Sequence, residues 1–457
     1  MSAIAHPTTA PPAATAPAAP PLAAPRRAGR RPVYRFRPYN VGRVVVWGGF
    51  AVLLAVAPLV FSSGLALTIL SQMGIAIVAC LSYNMLLGQG GMLSFGHAVY
   101  TGLASFVCIH LLNAIGGGLA LPVSLVPVAG GVAGMLFAVV LGFVTTRKAG
   151  TTFAMITLGI GELVFSMSLM VPEFFGGEGG VQANRMVGKP FLGLTFGPQI
   201  QVYGLLAVYT FLCTAAMFAF TRTPLGRMLN AVRDNPERVE FIGYSTQRVR
   251  YLAFIAAGFF AGVAGGMYAL NFEIATAEVV GAFRSGSYLF FTFLGGATFF
   301  FGPIIGGVLM VLAFVLFSEF TKAWLLYLGF VFLFMVMYAP GGIASLVMMN
   351  LRVAAFGKLR PLLAGYLALG GAALVVLAGA GAFVEMVYHL QLDTALGGTL
   401  RFLGATLDTA RADSWIGALF VMLVGVGLFE LSRREFARQW GEAQGQIEAE
   451  IRRREAM

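Results

Sequence analysis

Few side chains in this 457-residue chain could do covalent chemistry, and they are scattered. The four histidines, His6, His97, His110 and His389, share no local spacing. Cys80, Cys108 and Cys213 each lie inside an apolar run, with no disulfide framework and no metal-ligand spacing, and read as small packing residues. No GxxxxGK[ST] phosphate loop, HExxH, CxxC or GxSxG segment occurs. The expectation is a chain without catalytic residues, metal ligands or a bound cofactor, whose nucleotide energy, if it uses any, comes from another subunit.

Three polar features remain. Glu162 sits in the middle of the apolar run Phe153–Met170, and an ionisable group at such a depth either lines a path or bonds across helices. It also has a purely structural reading as a protonated side chain. The second feature is the run Leu86-Leu87-Gly88-Gln89-Gly90-Gly91-Met92-Leu93-Ser94-Phe95-Gly96-His97. Glycines interleaved with Gln89, Ser94 and His97 between two apolar stretches are costly in lipid unless they face a cavity, where exposed amides and carbonyls suit a zwitterionic solute. A tight helix–helix contact through small residues explains the run equally well. Asn84, one turn earlier, is placed to hydrogen-bond into this break.

The third feature is the polar segment 221–250, TRTPLGRMLNAVRDNPERVEFIGYSTQRVR. Thr223-Pro224 is a helix start, and Asn235-Pro236 divides two short helical pieces. Leu225, Met228, Leu229, Val232, Val239 and Ile242 form an apolar side, while Arg227, Arg233, Glu237, Arg238 and Glu240 decorate the other. Such a charged knob between two spans suits docking to a soluble motor. The bland alternative is a basic loop that reports only topology.

The elements that hold these features follow from composition. The chain is 58% hydrophobic and 11% charged, and its mean hydropathy is +0.83. So few charges cannot cover a soluble surface, so lipid must be the solvent for most of the chain. Apolar stretches of roughly 18–25 residues are helix lengths for a hydrocarbon core, whereas barrel strands are shorter and alternate. The predicted fold is an all-α, polytopic transmembrane bundle with broken or re-entrant helices.

Spans are expected near 44–61, 65–87, 97–115, 119–144, 151–171, 201–220, 251–270, 287–301, 303–319 and 322–339, about ten in the core. Two more follow near 362–384 and 415–431. Gly295, Gly296, Gly302 and Pro303 break the 287–319 stretch, so one of its pieces is a candidate re-entrant segment. Gly90…Gly96…Gly102 and Gly296…Gly302…Gly307 form a faint internal echo.

Residues 1–40 read as a disordered Ala/Pro-rich tail, 41–350 as the core domain, 351–432 as an extension with two spans, and 433–457 as a charged amphipathic tail. Phe436, Trp440 and Ile447 give that tail an apolar side for a membrane surface or a partner. The net charge of +11 does not point to nucleic acid, because the basic residues sit in short loops. Arg147–Lys148, the loop 221–250, Arg352–Arg360 and the C-terminal tail fall on one side of the membrane, placing both termini in the cytoplasm of a bacterial inner membrane.

Five segments in order carry a family resemblance: GQGGMLSFGHAVYTGLASF (88–106), RKAGTTFAMITLGIGELV (147–164), PLGRMLNAVRDNPERVEFIGY with RYLAFIAAGFFAGVAGGMYAL (224–270), FLGGATFFFGPIIGGVL (293–309) and APGGIASL (339–346). Over roughly 40–350 the chain resembles permeases of the branched-chain amino-acid ABC-importer family, of the longer type. The resemblance implies a second related permease subunit, two cytoplasmic ATPase subunits that use the ATP, and a periplasmic substrate-binding protein. It implies a coupling motif whose acidic residue and following glycine are Glu237 and Gly243, with Gly226 and Arg233 in the same docking loop, to which Arg227 and Glu240 are added as candidates for their charge alone. It places Asn84, Ser94, Gly96 and His97 in the translocation region, to which Gln89 and Glu162 are added as candidates for their polarity and depth alone.

Two departures bear on the solute. Gly102-Leu103-Ala104 stands where relatives have Gly-Ala-Tyr, and Phe175-Gly176-Gly177 stands in place of a Thr-Gly-Gly pattern. They leave the exact solute open, and the resemblance also implies urea or short amides as alternatives to amino acids. A self-sufficient channel or secondary transporter would need intramembrane charge pairs, and Glu162 has no basic partner within the predicted spans. A non-transporting scaffold would leave the Gly88–His97 break without a purpose.

Overall fold

The computed structural model describes residues 41–188, 195–392 and 398–456. The predicted N-terminal tail lies outside them, as do residue 457 and parts of the loops 172–200 and 385–414. Residues through Gly49 form a unit separate from the one that runs from Phe50 to the C-terminus.

The architecture is all-α. Helices α1 (Val41–Val60), α2 (Gly64–Gly90), α3 (Ala98–Gly116), α4 (Val126–Thr145) and α5 (Gly150–Met170) open the chain. A single turn, α6 (Pro172–Phe175), leads to strand β1 (Val181–Gln182). Then come α7 (Gln199–Arg222), α8 (Pro224–Asp234), α9 (Pro236–Phe241) and α10 (Thr246–Phe272). Strand β2 (Ile274–Ala275) pairs antiparallel with β1, Val181 opposite Ala275. Helices α11 (Ala282–Gly295), α12 (Gly302–Val311), the single turn α13 (Ser318–Phe320), α14 (Trp324–Tyr338) and α15 (Gly342–Ala355) follow. Last come α16 (Leu359–Leu392), the hairpin β3–β4 (Thr399–Phe402 and Ala405–Asp408) and α17 (Ala412–Ala456).

Among the described residues, nine helices are long and apolar enough to cross a hydrocarbon core, or ten when α14 and α15, bent by 51°, count as one span. Twelve were expected. The shortfall lies in two places: the apolar part of α1, Val44–Val60, is short, and α11 has only 14 residues. The expected span 287–301 is therefore a shorter helix set earlier in the chain, ended at Gly296 with φ +116°. A π-helical stretch, Leu312–Phe317, joins α12 to α13.

Helices α2 and α10 form the centre, packed against α3, α4, α7 and α12. Glycines allow the closest approach. Gly130 and Gly134 of α4 face Gly258, Gly262 and Gly266 of α10, and a Cβ on Gly262 would run into the Gly130 carbonyl. In lipid this close packing does work that hydrophobic burial cannot, because the solvent is as apolar as leucine.

The C-terminal region departs from expectation. The predicted span and separate tail form one 45-residue helix, α17. At 1.5 Å per residue it is roughly twice as long as a hydrocarbon core is thick. The side of its charged half that carries Phe436, Trp440 and Ile447 packs onto this chain's own Val353, Phe356, Leu359 and Leu362. Its outer side is laced with i,i+3 and i,i+4 ion pairs such as Arg433–Glu430 and Arg438–Glu435.

Candidate functional site

Helix α2 ends in a left-handed glycine, Gly91 at φ +63°, with the Gly91 amide bonded to the Leu87 carbonyl and the Met92 amide to the Leu86 carbonyl, both at 2.9 Å. The chain does not then leave the bundle. Residues 91–97 fold back along the last turns of α2, and α3 starts from within the bundle. An extended segment at that depth has amides and carbonyls that lipid cannot satisfy, and side chains from three helices supply the missing bonds. The Tyr83 hydroxyl donates to the Ser94 carbonyl (3.0 Å), Thr157 Oγ1 accepts from the Phe95 amide (3.1 Å), and Ser285 Oγ accepts from the Ala98 amide (3.0 Å).

His97 is fully buried among Tyr83, Tyr100 and Tyr288. The Ser82 hydroxyl donates to the Ala79 carbonyl (2.7 Å), so His97 Nε2 carries the proton and donates to Ser82 Oγ at 2.9 Å. His97 Nδ1, Ser94 Oγ and Asn84 Oδ1 are buried and take no hydrogen bond from the described residues. Asn84 therefore does not bond into the break through Oδ1. Gly96 lies against the Thr157 backbone carbonyl, and Gln89 is half-buried.

The polar segment forms the two expected helices, α8 and α9. Thr223 caps the first, accepting from the Gly226 amide (3.2 Å), and Asn235 caps the second, accepting from the Arg238 amide (2.9 Å). Gly226 fits where a Cβ would meet the Phe220 carbonyl. Leu229, Val232 and Val239 are buried as their spacing implies. Ile242 is not. It is 62% exposed beside Phe241 at 88%, and with Tyr244 and the turn at Gly243 (φ +89°) it makes an apolar tip. Arg227, Glu237 and Glu240 are exposed, and Glu240 Oε1 accepts from Thr246 Oγ1 at 2.8 Å.

Helix α8 is joined to the end of α2. The Arg233 guanidinium donates to the Gly88 carbonyl, its stem lies over Gly91, and it pairs with Asp234 at 2.9 Å. Leu229 packs against Gly90. The second break, 296–301, reaches the same place, for a Cβ on Gly88 would meet the Ala297 carbonyl as well as Asn84 Oδ1. The bend between α14 and α15 packs there too, Gly342 against Gly296.

Glu162 is set apart from this cluster. It lies on the exposed side of α5 and forms no salt bridge with another described residue. The opposite, buried side of α5, through Thr157 and Gly161, rests on the folded-back segment at Phe95 and Gly96.

Residues 65–340 match the family model described as branched-chain amino acid transport system / permease component. The chain belongs to that family. This permease is 27% identical over 303 residues to the high-affinity branched-chain amino acid transport system permease protein LivM of Escherichia coli (strain K12), covering 61% of this chain and 70% of that protein. The LivM of Salmonella typhimurium (strain LT2) is 27% identical over 325 residues, covering 66% of this chain and 75% of its own length. No solved structure matches the permease. The match ends before α15, so α15, α16 and α17 lie beyond it.

At the end of the permease opposite α8, a network emerges that the sequence did not announce. Arg185 donates to the carbonyls of Phe196 (2.9 Å), Leu270 (3.4 Å) and Gly197 (3.3 Å) and to Gln199 Oε1 (3.1 Å), and it lies 3.9 Å from Glu273. It ties residues 196–199 to the end of α10. A lone arginine between Gly- and Asn-containing turns was the available signal.

Proposed function

We propose that this permease subunit forms, together with a second related permease chain, the membrane path of an ABC importer for branched-chain amino acids, driven by ATPase subunits that dock on α8–α9. The observation that carries the reading is the bond from Arg233 to the Gly88 carbonyl. It links the exposed polar hairpin directly to the folded-back segment of the core, so displacement of one moves the other.

Charge supports the orientation. Arg147, Lys148, Arg222, Arg227, Arg233 and Arg238 gather at the α8 end, and the positive-inside rule directs that end to the cytoplasm of a bacterial inner membrane. The opposite end, with Arg185 and the β1–β2 pair, would then receive a periplasmic binding protein. Both LivM relatives belong to branched-chain amino acid transport systems, which favours branched-chain amino acids over urea or short amides. Nothing observed favours a self-sufficient channel, since Glu162 forms no salt bridge with the described residues that could serve ion coupling.

Uptake of labelled leucine, isoleucine and valine by cells lacking this gene, with and without the restored chain, tests the reading. Restoration of leucine uptake, with urea uptake unchanged, is the expected result. Unchanged leucine uptake with a shift in urea would move the assignment to the amide solutes.

A further inference from the structure

The β3–β4 hairpin lies between α16 and α17 at the end of the permease opposite α8. At that end Glu385 of α16 accepts from Thr321 Oγ1 and from the Tyr327 hydroxyl (3.2 Å), near the start of α14. The tip of the hairpin is a two-residue turn, Leu403-Gly404, with both residues at positive φ (+48° and +86°). Such a turn favours Asn-Gly or Asp-Gly, because a bulky side chain is strained in that backbone conformation. This chain has leucine there, and its side chain is 80% exposed. An exposed leucine alone needs no explanation; one held in a strained backbone at a hairpin tip does.

The direction of the hairpin shows what covers that tip. Its base is tied to the first turn of α17: Ser414 Oγ accepts from the Asp408 amide (3.2 Å), and Trp415 Nε1 donates to the Thr409 carbonyl (3.0 Å). From there its inner side, Leu400, Leu407 and Phe402, runs back along Met386, Ala382 and Ala418. The Phe402 ring reaches Gly381, where an added Cβ would meet it at 3.0 Å. Gly381 lies one turn, about 6 Å, deeper along α16 than Glu385. The tip therefore ends level with the apolar part of α16 and α17, whose exposed Leu377, Phe420 and Leu423 form a lipid-facing surface.

We infer that β3–β4 is a membrane-seated foot: Leu403 sits in the headgroup–acyl boundary of the leaflet at this end, with Arg401 above it at the level of the lipid phosphates. Arg401 is exposed on the outer side of the hairpin, opposite Thr406. Lipid accounts for both features of the tip, since burial of Leu403 among acyl chains offsets the strain of its backbone. The boundary is also as deep as a hairpin can reach. The outer edges of a two-stranded ladder keep unpaired amides and carbonyls, which need water or headgroups. A soluble partner would have to pass through headgroups to cover the tip. The seat holds α16 and α17, which lie beyond the family match, at a fixed height in the bilayer.

The test uses the full chain in phosphatidylcholine vesicles, with an environment-sensitive fluorophore on single cysteines at Leu403→Cys and Ala405→Cys. Leu423→Cys serves as the lipid control and Ala410→Cys, exposed beside the base of the hairpin, as the water control. The native cysteines are buried, which keeps background labelling low. Quenching is read with a lipid carrying a nitroxide near the headgroup end of its acyl chain, and with iodide in the water. L403C and A405C should be quenched by the lipid as strongly as L423C and spared by iodide, and A410C should show the reverse. Leu403→Asn supplies the residue that the turn favours, so the hairpin should persist, and the A405C label in that background should lose lipid quenching and gain iodide quenching. Tip labels as open to iodide as A410C would place the tip in water and overturn the inference. Labels shielded from both quenchers would put a protein over the tip and overturn it as well. A405C still quenched by lipid in L403N would remove Leu403 as the anchor.

Discussion

The Arg233 guanidinium of α8 reaches back to the Gly88 carbonyl in the last turn of α2. A carbonyl at a helix end has no intrahelical partner, so a charged donor there both satisfies it and fastens the two helices together. Arg233 thus belongs to the joint between hairpin and core, while Glu237 and the Phe241–Ile242 tip face outward.

That division separates two kinds of defect. Arg233→Gln should leave ATPase co-purification unchanged and reduce uptake at least tenfold, since a hydrogen bond to a charged group contributes about 1.5–3 kcal/mol. Uptake per ATP hydrolysed is the measurement. A loss of ATPase association in R233Q would place this residue in the docking surface instead.

Phe241→Ala and Ile242→Ala should do the reverse. Exposed apolar side chains at the centre of a contact act as anchors, and removing one is expected to weaken ATPase association about tenfold, or 1.4 kcal/mol. Titration of detergent-purified permease with the ATPase reads this directly. Glu237→Ala is expected to act in the same direction more weakly.

Ser82 and His97 form a buried pair whose loss should be asymmetric. Ser82→Ala leaves the His97 Nε2 proton unpaired and should cost about 1–3 kcal/mol, whereas the double variant S82A/H97F removes both partners and should recover part of the stability. Thermal unfolding in detergent measures the cycle. A double variant less stable than either single one would show that His97 has a further partner.

Gly96→Ala should destabilise the bundle by about 1–3 kcal/mol or prevent folding, because its Cβ would occupy the Thr157 carbonyl. Gly204→Ala, where the space is open, should have no such effect. Protein abundance and thermal stability of the two variants give the comparison.

Much of this was legible in the residues. Continuous apolar runs announced the spans, Thr223-Pro224 and Asn235-Pro236 announced α8 and α9, and the glycines around 88–97 announced a break. What could not be read was how the pieces meet. The break is folded back and braced by Tyr83, Thr157 and Ser285, residues far apart in sequence whose hydroxyls carry no local signature. Ile242 continues an apolar pattern yet is exposed, since periodicity gives a side of a helix but not what covers it. Glu162 was noticed for its depth, but the direction it faces depends on how α5 packs. In α17, i,i+4 ion pairs and packing onto Leu362 carry one helix through a composition change that resembled a boundary.

In the proposed importer, α8–α9 receives work done at a nucleotide site on another subunit. Vesicles containing this permease and its partner chain, loaded with binding protein and labelled leucine on the appropriate side, test it most directly. Uphill accumulation is expected only when ATPase and ATP are both added, and it should fall to background in R233Q while hydrolysis continues. Uphill accumulation without any ATP-hydrolysing subunit would contradict the account.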